Sequence, residues 1–330
     1  MRLTAAVGIT LLSGAAWAQP WPTGQMGDLI VRNGETVTLT DDHPLDYRRV
    51  EIHDGGTLEL AGESDFIAIG ATEALVLDGR IIARGGARQP GVHAFDMPDG
   101  TRLTLEVATG LGGSGGSSDC PPPKANGGVG GKEGAGNGGG GGAWYKKNGS
   151  PGSAAGGGAG AKGKCGGKLT RCGAGGAGAT VPGEAGGGGG VADCMGCSNH
   201  GGGGGGGARG LHGKLVYLKS LGAFDGGGGE IDVRGSAGGA GGAGGSATGN
   251  RLNKGGGGGG GGAGGSGGLI VIRYGTSYLP ARYLVDGGAG GAGGAGGSAG
   301  GTISCSMKSP GQPGEPGENG APGRIDLKKL

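Results

Sequence analysis

The chain has 330 residues, of which 100 are glycine, and its formal net charge is only +2. Lysines and arginines are scattered along it, which excludes a nucleic-acid-binding surface that works by counterion release from a basic stripe. The weak net charge also removes half of the usual signature of disorder, in which low hydrophobicity accompanies strong net charge.

The first residues indicate a secretory signal peptide, residues 1–18. Arg2 gives one early positive charge, an apolar run extends to Leu12, and the small-residue pattern at Ala16 and Ala18 is typical of a cleavage site. A buried core helix is the alternative. Because the run is too short to span a bilayer, we expect a secreted protein, extracellular or at a cell surface, with no membrane span.

Apolar residues are unevenly distributed after the signal. Of the 82 residues from 28 to 109, 23 are Leu, Ile, Val or Phe, whereas 6 of the 105 residues from 110 to 214 are. The first stretch can build an ordinary hydrophobic core and the second cannot. We therefore divide the rest of the chain into a strand-rich domain, residues 19–109, and a glycine-rich region, residues 110–330.

Short strand patterns follow one another in the strand-rich domain. Apolar and polar residues alternate at Leu58 and Leu60 and again from Leu103 to Val107, which is the period of a strand buried on one face. Such short strands, separated by Gly and Asp turns, favour a β-solenoid or a β-sandwich. The solenoid is preferred because HDGGTLEL and LDGRIIARGG look like successive rungs.

The glycine-rich region contains an internal repeat. GKLVYLKS begins at Gly213, GLIVIRYG at Gly268 and GRIDLKKL at Gly323, so that the interval is 55 residues both times. Strands are therefore expected to be interleaved with long glycine arms.

The glycine tracts keep a period of three. In DGGAGGAGGAGGSAGG the non-glycine residues are Ala289, Ala292, Ala295 and Ser298. Flexible Gly/Ser linkers have no reason to keep this period, whereas a helix of the polyproline II type has three residues per turn. The period predicts ordered polyglycine II arms, with disordered tracts as the alternative. The expected fold class is all-β and glycine-rich, with short right-handed β-solenoid or β-sandwich strands and a polyglycine II helix bundle.

Six cysteines indicate disulfides, because their number is even and the chain is expected in an oxidising compartment. The alternative is a metal site, since CMGC has the CxxC spacing that zinc favours, although the gap in KCGGKLTRC is wide for zinc. No cofactor is expected. The disulfide candidates are Cys120, Cys165, Cys172, Cys194, Cys197 and Cys305, and the metal alternative uses Cys165, Cys172, Cys194 and Cys197.

One aromatic stretch, AWYKKNGSPG, interrupts the glycine-rich region. Its Trp144, Tyr145, Lys146 and Lys147 are the candidate ligand-binding residues, because exposed aromatic side chains give much contact area for little entropy cost. An aromatic cover over the end of an arm is the alternative.

Candidate catalytic clusters are few. Asp41, Asp42 and His43 are adjacent, as are His53 and Asp54, but both groups lie in apparent turns, where Asp caps the chain and His is solvated. We therefore expect no enzyme, with a polysaccharide-acting β-solenoid enzyme as the third hypothesis.

Residues 110–323 resemble proteins with bundled polyglycine II helices, namely snow-flea-type antifreeze proteins and the glycine-rich tail-tip adhesins of T-even-like phages. GGAGGAGGS, the runs GGGGGGGARG and GGGGGGGGAGG, the cysteines and GEPGENGAPG carry the resemblance. The antifreeze proteins are smaller and lack a strand-rich N-terminal part, and the adhesins carry no secretory signal. No functional residue carries over from either group.

The expected function is that of a secreted structural or adhesive surface or matrix protein. It would present loops such as AWYKKNGS on a rigid glycine-rich scaffold to a cell-surface glycan or protein, with no nucleic acid as partner. The alternative is an ice-binding protein, in which regularly spaced Ala and Ser form a face that excludes charge.

Overall fold

The structure is built from short strands. The computed structural model describes residues 21–39, 44–61, 65–86, 91–107, 110–115, 170–172, 176, 178–179, 183–189, 192–193, 198–248, 253–300 and 308–330. These residues form 23 strands and no helix. In chain order the strands are β1 (Asp28–Val31), β2 (Thr36–Leu39), β3 (Leu45–Ile52), β4 (Thr57–Leu60), β5 (Phe66–Leu77), β6 (Arg80–Ile82), β7 (Arg84–Gly86), β8 (Gly91–Asp96), β9 (Arg102–Val107), β10 (Thr170–Cys172), β11 (Ala192–Asp193), β12 (Ser198–His200), β13 (His212–Gly213), β14 (Leu215–Ser220), β15 (Ala223–Asp225), β16 (Glu230–Asp232), β17 (Ala247–Thr248), β18 (Asn253–Lys254), β19 (Leu269–Tyr274), β20 (Tyr278–Leu279), β21 (Arg282–Leu284), β22 (Lys308–Ser309) and β23 (Arg324–Lys329).

Two parallel sheets, which we call the proximal sheets, contain most of the long strands. The first has the order β1-β3-β5-β14-β19-β23, with β15 paired to β5 and β20 paired to β15. The second has the order β2-β4-β6-β16-β21. Pairing is in register, so that Leu215 lies beside Phe66 on one side and Leu269 on the other.

The main hydrophobic core lies between the proximal sheets. Apolar side chains alternate along each strand and stack on the equivalent side chains of the next strand, as parallel pairing in register requires. Val50, Leu75, Val216, Ile231 and Ile270 are fully buried members of this cluster.

A second core covers the outer face of the first proximal sheet. The hairpin β8–β9 is antiparallel and packs Phe95, Leu103 and Leu105 against Tyr217 and Val271 of the sheet. Phe95 also contacts Phe66, with ring centroids 5.1 Å apart. The hairpin therefore shields side chains that would otherwise face solvent.

Five glycine segments connect the proximal sheets to two small sheets, which we call the distal sheets. The distal sheets have the orders β10-β12-β18-β22 and β11-β17, and only the backbone is described for β10, β11, β12 and β22. The glycine segments are residues 201–214, 233–246, 254–268, 285–298 and 311–323.

The glycine segments bind one another through their backbones. The amides of Gly259, Gly262 and Gly265 donate to the carbonyl oxygens of Gly242, Gly239 and Ser236, at N···O distances of 2.8, 2.8 and 2.9 Å. Every third amide of this segment thus bonds to the same neighbouring segment. These bonds satisfy backbone groups that a buried chain without local hydrogen bonds would leave unpaired.

Close approach explains why these positions are glycine. A Cβ atom added at Gly262 would lie 1.9 Å from the carbonyl oxygen of Ala208, and one added at Gly294 would lie 2.1 Å from that of Gly242. Both distances are far inside van der Waals contact. A side chain at these positions would push two hydrogen-bonded segments apart.

The fold class predicted from the sequence is wrong: the described residues form open, parallel, strand-rich sheets. A β-sandwich packs antiparallel sheets, whereas every pair in the proximal sheets is parallel. Coils of a β-solenoid follow one another along the chain, whereas β5 pairs with β14, and the chain between them includes the antiparallel hairpin β8–β9.

The prediction of a polyglycine II helix bundle is also wrong. No helix is assigned in the described glycine segments, and the only strand residues in them are those of β13 and Lys254 at the end of β18. A fixed local helix costs glycine more conformational entropy than any other residue, and the amides of these segments bond laterally to other segments.

We predict opposite effects of adding a methyl group at two glycines. Gly262→Ala should lower the free energy of unfolding by at least about 2 kcal/mol, because the methyl group overlaps a backbone carbonyl. Gly188→Ala should leave it unchanged or raise it by up to about 1 kcal/mol, because the loss of chain entropy on folding is reduced. At Gly188 the nearest atom to an added Cβ is the Ala243 oxygen, 3.8 Å away.

Urea unfolding followed by circular dichroism and tryptophan fluorescence measures both values. Equal stability of the two variants would contradict the packing of the glycine segments.

Candidate functional site

The glycine segments 233–246 and 285–298 lie side by side and share an exposed face. The amides of Gly238, Gly241 and Gly244 donate to the carbonyl oxygens of Ala289, Ala292 and Ala295, with N···O distances of 2.9, 2.8 and 2.7 Å. A constant offset between donor and acceptor fixes the register, so each small side chain of one segment has a partner on the other.

The small side chains of these segments point to solvent in two rows. Every third residue is exposed or partly exposed, and of the two glycines between them one is buried and the other partly buried. At one end of the rows the Ser298 hydroxyl donates to the Ser246 hydroxyl, 2.9 Å away. We call the two rows the alanine–serine face, which consists of Ala237, Ala240, Ala243, Ser246, Ala289, Ala292, Ala295 and Ser298.

Charge is confined to the borders of the alanine–serine face. Residues 235–248 and 287–300 contain only Gly, Ala, Ser and Thr. On one side residues 183–189 border the face, where Gly186 donates to the Ala240 carbonyl oxygen at 2.9 Å. On the other side Glu315 and Glu318 turn away to residues 110–115, where they accept from the Ser114 hydroxyl and the Leu111 amide at 2.5 and 2.9 Å.

The distal sheets bring together parts of the chain that are far apart in sequence. Thr170 pairs with Ser198, and Asn253 pairs with both Asn199 and Lys308. Of the described side chains here, Asn253 is buried and donates to the Gly300 carbonyl oxygen at 2.5 Å. The described strands of this end are joined by backbone pairing.

The structure describes the backbone of one of the six cysteines. Cys172 ends β10, and its backbone pairs with His200 of β12. The other five lie outside the described residues, in stretches whose described neighbours are distal strands or a glycine segment: Cys120, Cys165, Cys194, Cys197 and Cys305. Disulfide pairing therefore stays a prediction, as does the metal alternative; the described residues hold no group of three or more His, Cys, Asp and Glu side chains that could bind a metal.

The predicted ligand-binding residues also lie outside the described residues. Trp144, Tyr145, Lys146 and Lys147 belong to the stretch between Gly115 and β10. Of the two candidate catalytic clusters, Asp41, Asp42 and His43 are likewise not described. His53 lies in the turn between β3 and β4, half exposed, with its Nε2 3.5 Å from the Glu51 carboxylate.

A buried polar cluster that the sequence did not indicate joins the hairpin to the sheet. Asp99, in the turn of the hairpin β8–β9, accepts from the Tyr217 hydroxyl at 2.6 Å and from the Lys219 ammonium at 2.8 Å. In sequence, 120 residues separate Asp99 from Lys219. Local sequence patterns carry no signal for a contact between residues so far apart.

The environment of this cluster fixes its protonation. Burial raises the pKa of the Asp99 carboxyl, but hydrogen bonds from Lys219 and Tyr217 outweigh burial and hold that pKa at about 2. Burial, helped by the Asp99 hydrogen bond, raises the pKa of the Tyr217 hydroxyl above its usual value. At neutral pH Asp99 is therefore ionised and Tyr217 protonated, which suits an anchor for the hairpin.

One cleft of about 240 Å³ lies where the hairpin meets the glycine segments. Its walls include Thr104 and Glu106 of β9, Ser266, and Pro322 and Arg324 at the start of β23. The Arg324 guanidinium donates to the Thr104 carbonyl oxygen at 3.1 Å, which ties the two walls together.

Comparison with known proteins gives no further guide. No protein-family model matches the chain, no curated protein matches it, and no solved structure matches it. Nothing in the described part of the chain is a helix long and apolar enough to cross a membrane.

We predict that Asp99→Asn destabilises the protein by about 2 kcal/mol at pH 7, because the depressed pKa of Asp99 is a stability contribution. A depressed carboxyl pKa contributes stability above the unfolded-state value of 3.8, and the contribution is lost as pH falls to about 2. Urea unfolding of wild type and Asp99→Asn at pH 7, 4 and 2 should therefore show a difference that shrinks on acidification.

The matched control for this measurement is Asp96→Asn on the same hairpin. Asp96 is 78% exposed and 3.7 Å from Arg102, so its removal should change stability by less than about 1 kcal/mol. A pH-independent cost of Asp99→Asn would contradict the assignment of this anchor to an ionised carboxylate.

Proposed function

We propose that the protein is secreted and acts as a non-catalytic structural or adhesive scaffold, which presents loops such as AWYKKNGS on a rigid glycine-rich array to a cell-surface glycan or protein. The observation that supports this best is the lateral bonding of the glycine segments beside the hydrophobic cores of the proximal sheets. The stretch with AWYKKNGS lies outside the described residues, between Gly115 and β10.

The glycine segments suit a scaffold because they are bonded laterally along their length. Gly288, Gly291 and Gly294 donate to Gly265, Gly262 and Gly259, and residues 311–323 continue the array on the next side. A surface carried on such an array is held in place before a partner arrives, and preorganisation of this kind lowers the entropy cost of binding.

Disulfides would complete the scaffold at the distal end. The distal sheets have strands of two or three residues, and their described members add little apolar burial. Cross-links limit the unfolded ensemble most where a core does not hold the chain, so a disulfide at Cys172 of β10 would stabilise this end.

The adhesive function is tested by binding of the full chain to immobilised oligosaccharides and to insoluble polysaccharides. We expect the double substitution of Trp144 and Tyr145 by Ala to weaken binding by at least about tenfold, because buried aromatic anchors dominate binding energy. Leu279→Ala is the control, since Leu279 is 50% exposed at the proximal end. Binding by the double variant as tight as that of wild type would contradict a role for these aromatic residues.

Ice binding is the second candidate, and the alanine–serine face is the specific observation that favours it. Two adjacent rows repeat every third residue, are exposed or partly exposed, and carry only methyl and hydroxyl groups. Such a surface orders neighbouring water without binding it strongly through charge.

Thermal hysteresis of the purified protein tests this second candidate. We expect Ala292→Lys to abolish most of any hysteresis, because it puts a charge and a long side chain in the middle of the face. Gln312→Lys is the control, since Gln312 is exposed outside the two rows. Absence of hysteresis in wild type at the highest soluble concentration removes ice binding as a function of this protein.

A further inference from the structure

The last strand of the first proximal sheet is an edge strand in the described part of the chain. β23 pairs in parallel with β19, and no other strand of the described residues pairs with it. The amides of Arg324 and Leu330 donate to the Gly268 and Tyr274 carbonyl oxygens of the β19 side. Because backbone groups alternate along a strand, the free amides and carbonyls at the outer edge are those of Ile325, Leu327 and Lys329.

The same edge exposes side chains that continue the stacked rows of apolar residues in the main hydrophobic core, which we call the core rows. Ile270 and Ile272 of β19 are fully buried, whereas their neighbours Ile325 and Leu327 on β23 are 37% and 42% exposed. Leu279, at the same end of the sheets, is 50% exposed. Apolar rows that stop at an edge strand form a surface that a further strand would cover.

We infer that this edge pairs with the same edge of a second copy of the chain, antiparallel, about a two-fold axis at Leu327. In this register Leu327 lies opposite the partner's Leu327, and both exchange backbone hydrogen bonds. Ile325 lies opposite the partner's Lys329, which again matches the free backbone groups on both strands. The two strands then overlap from residue 324 to residue 330.

Charge complementarity selects this register. With the axis at Leu327, Asp326 lies opposite the partner's Lys328, and symmetry makes the contact twice. An axis at Asp326 would bring two carboxylates together, and one at Lys328 would bring two ammonium groups together; like charges directly opposite each other in a sheet are destabilising. Asp326 already holds Arg273 at 2.8 Å, which orients its carboxylate on the outer face of the sheet.

The core rows also continue in this pairing. The exposed Leu327 side chain contacts its own copy, and Ile325 contacts the aliphatic part of the partner's Lys329. In a monomer, the charges of Lys328 and Lys329 would disfavour pairing of this edge with other strands. In the dimer the same lysines contact the partner.

Charge exchange tests the pairing directly. In Lys328→Asp the introduced carboxylate would face the partner's Asp326, and in Asp326→Lys the introduced ammonium group would face the partner's Lys328. We expect each variant alone to dimerise at least about tenfold more weakly than wild type, because both contacts become repulsive. An equimolar mixture of the two variants pairs opposite charges again and should form a heterodimer within about threefold of wild-type affinity.

Sedimentation equilibrium of the full-length chains measures these affinities, and thermal unfolding verifies that each variant folds. The matched control is Lys329→Asp mixed with Asp326→Lys, since position 329 faces Ile325 of the partner subunit and the mixture gains no ion pair. A wild-type chain that stays monomeric, or that forms a ladder of larger oligomers, overturns the two-fold pairing.

Cross-linking checks the register independently of charge. Leu327→Cys should give a disulfide between the two introduced thiols, because paired Cα atoms lie about 5.5 Å apart across such strands. Ile325→Cys should not link to its own copy, from which it is separated by four residue steps, or about 14 Å. Peptide mass spectrometry under non-reducing conditions separates this link from those of the native cysteines; its absence in Leu327→Cys overturns the register.

Discussion

The close approach of glycine backbones is the constraint on which the rest of the structure depends. Added Cβ atoms at Gly261, Gly264 and Gly291 would each lie 1.9 or 2.0 Å from a carbonyl oxygen of a neighbouring segment. Only chains without side chains at these positions can lie near enough to exchange hydrogen bonds directly. The composition of the protein follows from this requirement, because each segment must present bare backbone wherever it has a neighbour.

Two kinds of stabilisation therefore coexist in one chain. At the proximal sheets, in-register strands stack Ile, Leu and Val and bury them completely, and the hairpin adds a second core with Asp99 as a polar anchor. Away from these sheets the buried apolar side chains of the described residues are alanines, and backbone hydrogen bonds must offset the large entropy cost of ordering glycine. The glycine segments can be ordered because the proximal sheets fix one end of each of them and thereby set their spacing.

The sequence predicted the strands better than their arrangement. Alternation of apolar residues placed strands correctly around Leu58 and from Leu103 to Val107, since that pattern is local. The fold class was wrong because pairing of β5 with β14, and lateral bonding of glycine segments, depend on contacts between distant residues. For the candidate sites, the period of three indicated a row of Ala and Ser. Local sequence patterns did not indicate that two such rows join into one face, nor did they indicate the Asp99 cluster.

The hydrogen-bond repeat of the glycine segments also limits how this protein can change in length. Donors to a given neighbour recur every third residue, and the small side chains recur with the same interval. Loss or gain of a single codon within a segment would turn bare positions outward and methyl groups inward for the rest of its length. Genetic variants of this protein that keep the fold should therefore differ in these segments by multiples of three residues, with single-residue changes confined to the connections at either end.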